Sequence, residues 1–266
     1  MVRSNFQDHP FHLVSPSPWP LYTSISLFTL TVNAALAMHL FSYSSILFFM
    51  ALCTLVASMA LWFRDIISEG TYLGNHTSAV QKGLNLGVIL FIVSEALFFL
   101  GIFWGYFHSA LTPTILLGAQ WPPMGIESIN PFELPLLNTV ILLSSGATIT
   151  FAHHSLIKGE RKGAIYGTIF TIILALVFTC FQVIEYKVSS FTISDGVFGT
   201  CFFFGTGFHG LHVIIGTVFL AVGLWRILAY HLTDHHHLGY ENGILYWHFV
   251  DVVWLILYIT MYYWGS

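Results

Sequence analysis

Seven apolar stretches follow one another along this 266-residue chain, with expected limits of 20–41, 44–63, 81–108, 133–156, 163–186, 197–228 and 240–263. A helix rises about 1.5 Å per residue, so about 20 apolar residues cross a hydrocarbon core about 30 Å thick. Runs of this length are too long for barrel strands, and an open sheet would leave backbone groups unsatisfied in lipid. Composition agrees: 56% of residues are hydrophobic and only 8% are charged, against about 25% charged in soluble domains. The expectation is an all-α membrane protein with seven transmembrane helices.

Punctuation between the stretches supports these limits. Pro16, Pro18 and Pro20 precede the first helix, where proline is tolerated. The run GAQWPPMGIESINPFELP breaks the chain between the third and fourth. Seven spans place the termini on opposite faces. Arg3, Arg64, Lys82, Lys158, Arg161, Lys162 and Arg226 then share the N-terminal side, and only Lys187 lies opposite. This bias predicts an N-terminus in the cytoplasm or the mitochondrial matrix. Gly83 with Gly87, Gly101 with Gly105, and Gly163 with Gly167 form GxxxG pairs, which predict close helix approach.

Several function classes drop out. A net charge of −4 provides no basic face for nucleic acid. There is no Walker loop for nucleotide-driven transport. Cys53, Cys180 and Cys201 form no CxxC pair, which argues against disulfides and thiolate metal sites. The opening MVRSNFQDHPFHLVSPSPWP reads as neither a secretory signal nor an Arg-rich transit peptide.

Glu95 is the outstanding candidate site residue. It lies midway between Lys82 and His108 within LGVILFIVSEALFFLGIFWGYF, roughly 20 Å from either polar end. A charge near the midplane costs about 2.5–3.5 kcal/mol on insertion scales, so Glu95 should face protein or trapped water. It reads either as a hydrogen-bonded packing residue or as a proton-linked site. His209 and His212 lie deep in the sixth stretch at i, i+3, and His248 and Asp251 repeat that spacing in the seventh. These four are expected to form an intramembrane polar network. Around Glu95 the ExxH pairing of di-iron bundles is missing, because Phe98 stands in the relevant position. No redox metal, no other metal site and no catalytic residue is expected in this chain.

The motifs taken together resemble subunit III of cytochrome c oxidase, in the haem-copper oxidase subunit 3 family. HPFHLVSPSPWP, WFRD ending at Asp65, GNHT around His76, LFIVSEALFF around Glu95, FWGYFHSALTP and WPPMGIE occur in family order. They are followed by LNTVILLSSGATITFAHH, FTISDGVFG, GFHGLHVIIGT and YWHFVDVVWLILYITMYYWGS. The texture is most like fungal mitochondrial members.

The resemblance implies seven helices in two groups, I–II and III–VII, separated by a lipid-filled cleft. The corresponding regions are a matrix-side tail at 1–19, helices I–II at 20–70 and helices III–VII at 71–266. It implies a non-redox core subunit of respiratory complex IV, which stabilises the catalytic subunit and supports proton uptake. The complex reduces dioxygen with electrons from cytochrome c and pumps protons across the mitochondrial inner membrane. Haem a, haem a3 and copper are expected in partner subunits, with subunit I as main contact. Subunit II, small accessory subunits and a respiratory supercomplex with complex III are further implied partners. Glu95 matches the family's carbodiimide-reactive glutamate, and Arg64, His76 and Arg226 match positions associated with bound phospholipids. The competing reading is an independent proton-linked transporter using Glu95.

Overall fold

The computed structural model describes residues 9–266, apart from the side chain of Leu117. The expected tail at 1–19 and the charge of Arg3 therefore fall partly or wholly outside the described residues. All the regular structure described is helical: α1 (Trp19–Met38), α2 (Ser44–Thr71), α3 (Ser78–Leu111), α4 (Leu134–Ile157), α5 (Arg161–Val188), α6 (Gly196–Leu228) and α7 (Leu238–Leu257). A 3₁₀ turn at Ile115–Leu117 follows α3, and α7 continues as a π-helical stretch over Tyr258–Tyr263. Each of the seven helices is long and apolar enough to cross a membrane.

The chain packs as two units: one runs to Leu84, and the other is Asn85–Ser266. The division thus falls inside α3. α2 continues past its apolar stretch to Thr71.

In the first unit, α1 and α2 pack as a helical pair. Its buried residues include small or polar Asn33, Ser44, Ala51 and Ser58, while Phe28, Phe49 and Met50 are exposed. That pattern suits lipid, where close backbone approach and interhelical hydrogen bonds replace the hydrophobic drive. Thr23 Oγ1 lies 3.3 Å from Ser58 Oγ, and Trp19 Nε1 donates to Asp65 Oδ2 at 2.5 Å.

In the second unit, α7 supplies the centre. Trp247 and Trp254 are fully buried and donate their indole N–H groups to Ser145 Oγ (2.9 Å) and Thr139 Oγ1 (3.0 Å) of α4. Thr168 of α5 donates to Ala164 O and meets Tyr240 OH at 2.6 Å. Buried indole and hydroxyl groups in an apolar bundle need such partners. The GxxxG expectation divides. A Cβ at Gly163 or Gly167 would meet α4 within 3 Å, whereas Gly83, Gly87, Gly101 and Gly105 face open space. The motif reports the capacity for close approach, and of these three pairs Gly163 with Gly167 uses it.

Candidate functional site

Glu95 on α3 meets His212 on α6, with Glu95 Oε2 2.8 Å from His212 Nε2. The other ring nitrogen of His212 lies 2.6 Å from the carbonyl of Phe208. A carbonyl only accepts, so Nδ1 carries a proton and Nε2 is left to face the carboxyl group. Phe99 packs edge-on against the imidazole at 5.1 Å between centroids, and Tyr246 stacks on it at 6.3 Å. The imidazole is buried, but a quarter of the Glu95 side chain (25%) remains exposed.

The other members of the expected network are placed separately. His209 is buried between Phe178 and Trp254, and its Nε2 donates to Val250 O at 3.2 Å. His248 lies 3.8 Å from Asp251 Oδ2 through Nδ1 and 3.2 Å from Thr150 Oγ1 through Nε2. Asp251 is buried, and its carboxylate fills the space that a side chain at Gly146 would take. The structure thus brings together Glu95 with His212, and His248 with Asp251 and Thr150. It joins His209 to the α7 backbone.

Sequence reasoning passed over Glu185. This residue closes α5, where a carboxylate reads as interfacial, yet it is only 2% exposed. Tyr262 OH donates to its Oε1 at 2.5 Å, and Gln182 Nε2 donates to the same oxygen at 3.1 Å. Asn138 Nδ2 reaches Gln182 Oε1 at 3.4 Å. The available signal was Gln182 one turn before Glu185, since two polar groups at i, i+3 share a face.

Arg64 is exposed and forks onto its neighbour Asp65, with Nε at 3.0 Å and Nη2 at 2.8 Å from Oδ1. His76 lies in the turn before α3, and Gln81 Nε2 donates to its carbonyl at 2.9 Å. Arg226 is half-buried in the last turn of α6, against Gly239. Nearby, Arg161 at the start of α5 donates through Nη2 to Ile227 O at 3.0 Å and Leu228 O at 2.8 Å. It closes carbonyls that the end of a helix otherwise leaves open.

Seven helices able to span a membrane, with an acid on one hydrogen-bonded to an imidazole on another, define a multi-pass membrane protein. Comparison with known proteins makes this specific. The family described as cytochrome c oxidase subunit III matches residues 9–266. The chain is 77% identical to "Cytochrome c oxidase subunit 3" of Podospora anserina and 76% identical to that of Neurospora crassa. Both matches extend over 266 residues, covering 100% of this chain and 99% of the relative. With the Mycosarcoma maydis protein of the same name, identity is 62% over 271 residues, covering 100% and 98% of the two chains. The chain belongs to the cytochrome c oxidase subunit III family.

Proposed function

We propose that this chain acts within cytochrome c oxidase as a non-redox core subunit that stabilises the catalytic subunit and supports proton uptake. As a family member it is a subunit of respiratory complex IV, an oxidase enzyme. The observation that carries the finer reading is the Glu95–His212 hydrogen bond, an acid and an imidazole paired between two spanning helices. Partner subunits I and II would carry haem a, haem a3 and copper. Small accessory subunits and a supercomplex with complex III would complete its surroundings. Similarity to fungal oxidase subunits supports the mitochondrial inner membrane, and the bias of lysine and arginine supports an N-terminus in the matrix and a C-terminus in the intermembrane space.

Arg64, His76 and Arg226 would contact phospholipid headgroups. Cationic groups near the interface contribute about 1 kcal/mol each toward anionic lipid. An independent proton-linked transporter is not favoured. Such proteins commonly bind substrate where helices are broken near the midplane, whereas α3 and α6 run uninterrupted through Glu95 and His212.

Gentle solubilisation tests the assignment. The chain should co-purify with haem a and copper carried by other chains, and purification without them would overturn it. Joint replacement of Arg64, His76 and Arg226 by Ala should lower the phospholipid retained and shorten the working life of the complex. Unchanged lipid content would remove the headgroup reading and leave the oxidase assignment standing.

A further inference from the structure

Three side chains from remote parts of the first unit converge at its polar end. They are His12 in the segment before α1, Glu69 in the last turn of α2, and His76 in the turn before α3. One donor atom from each lies within 4.8 Å of the other two. His12 Nδ1 is 4.0 Å from Glu69 Oε2, and the two imidazole centroids are 6.2 Å apart. All three are partly buried, so the cluster is neither a solvated surface patch nor a closed core.

Other contacts assemble this group. Thr77 accepts the Val80 N–H at 3.3 Å, capping α3, and its hydroxyl also donates to the Pro10 carbonyl. One residue therefore ties the segment carrying His12 to the turn carrying His76. Gln81 holds the His76 carbonyl at 2.9 Å. Gly70, next to Glu69, leaves the room that the His76 ring occupies: a Cβ there would stand 2.7 Å from Nδ1. The cluster borders a cavity of about 820 Å³ whose lining also includes Trp19 and Asp65.

We propose that His12, Glu69 and His76 form a binding site for a divalent cation of the zinc class, which clamps the N-terminal segment onto the α2–α3 corner. Two imidazoles and one carboxylate match zinc and its borderline neighbours, while calcium and magnesium prefer all-oxygen shells. Zinc–donor bonds of about 2.0–2.1 Å put tetrahedral donors about 3.3 Å apart, so the side chains close by ~1 Å on binding. Three protein donors leave a fourth position open to water from the cavity. A cation here would depart from the sequence expectation of no metal in this chain. No spacing motif announces it, because the three donors are far apart along the chain.

The purified oxidase complex, stripped by chelator and retaining its haem spectrum, provides the test. Zn2+ should slow diethyl pyrocarbonate modification of His12 and His76 at least tenfold, read by mass spectrometry, and leave exposed His235 unchanged. Mg2+ at equal concentration should have no such effect. His76→Ala should weaken the zinc-dependent protection of His12 at least tenfold, and His76→Cys, which restores a donor, should recover it. Equal modification rates of His12 and His76 with and without saturating Zn2+ would overturn the site. Protection of His76 that follows lipid content and ignores Zn2+ would also overturn it, and would favour the headgroup role. Because the wild-type protection assay needs no variant to assemble, it decides the question even if His76→Ala fails to accumulate. Either outcome leaves membership of the oxidase intact.

Discussion

His212 Nε2 faces Glu95 Oε2 at 2.8 Å, while the Phe208 carbonyl fixes the proton on Nδ1. The arrangement accepts an amide in place of the acid, since Gln presents both a donor and an acceptor toward Nε2. Glu95→Gln should therefore assemble normally and retain substantial oxygen reduction in the purified complex. A fall beyond about 100-fold with normal haem content, roughly 2.7 kcal/mol of barrier, would show that the proton itself is obligatory. With the acid present, Glu95 should be the preferred target of an apolar carbodiimide. His212→Ala should label several-fold faster, because the partner that shields the carboxyl group is gone.

Gly146 sets the place of Asp251. A Cβ at this position would lie 2.6 Å from Asp251 Oδ2, and a buried carboxylate between packed helices has little room to retreat. Gly146→Ala should destabilise the subunit by about 1–3 kcal/mol, seen as a lower thermal midpoint of the complex. Gly207 in α6 has nothing within 4 Å of its Cβ position. Gly207→Ala should be neutral or slightly stabilising, since alanine favours a helix by about 1 kcal/mol over glycine. Equal loss at both glycines would refute a specific clash at Gly146.

The sequence carried the helices better than the partners of their polar groups. Stretch length and hydropathy follow directly from the bilayer, so all seven spans were legible. The continuation of α2 to Thr71 was less so, because its final turns carry Arg64, Asp65 and Glu69 and leave the apolar pattern. Glu95 announced itself by depth, but His212 as its partner depends on the rotation of α3 against α6. No one-dimensional period encodes that rotation. Glu185 sat at the end of a span, where a carboxylate is ordinary, and only the fold of the Tyr258–Tyr263 stretch over it reveals the burial. The convergence of His12 with Glu69 and His76 is likewise a product of chain return, not of local spacing.

Glu185 and Tyr262 should behave as a coupled pair. Tyr262→Phe removes the 2.5 Å hydrogen bond and should lower stability by about 1–3 kcal/mol. Glu185→Leu removes the acceptor of both Tyr262 OH and Gln182 Nε2, leaving them only their mutual 3.5 Å contact, so its loss should be larger. Glu185→Gln keeps the acceptor and should fall between wild type and Leu. Thermal unfolding of the three variants in the purified complex gives the ranking; a Leu variant as stable as the Gln variant would refute the network.

Topology is testable with introduced thiols at two exposed positions. Lys158 lies between α4 and α5, and Ser194 between α5 and α6, so one spanning helix separates them. In intact mitoplasts, a membrane-impermeant maleimide should label Ser194→Cys and spare Lys158→Cys. Detergent should expose both. The reverse order before detergent would invert the proposed orientation.

Arg161 joins the beginning of α5 to the end of α6. It donates to the carbonyls of Ile227 and Leu228, and its guanidinium carbon lies 3.6 Å from the centroid of the Tyr230 ring. Those carbonyls end a helix, so a cation there also meets the negative end of the macrodipole. Arg161→Ala should remove charge-assisted bonds and lower stability by about 1.5–3 kcal/mol. Protease cleavage between residues 229 and 237 should become faster. Arg161→Lys keeps the charge but loses the planar fork, so it should recover only part of the loss. The adjacent Lys162 is exposed, and Lys162→Ala should change stability by no more than about 0.5 kcal/mol. If Arg161→Ala and Lys162→Ala have the same thermal midpoint and the same cleavage rate, Arg161 is only another surface cation and the cap does not hold α6 in place.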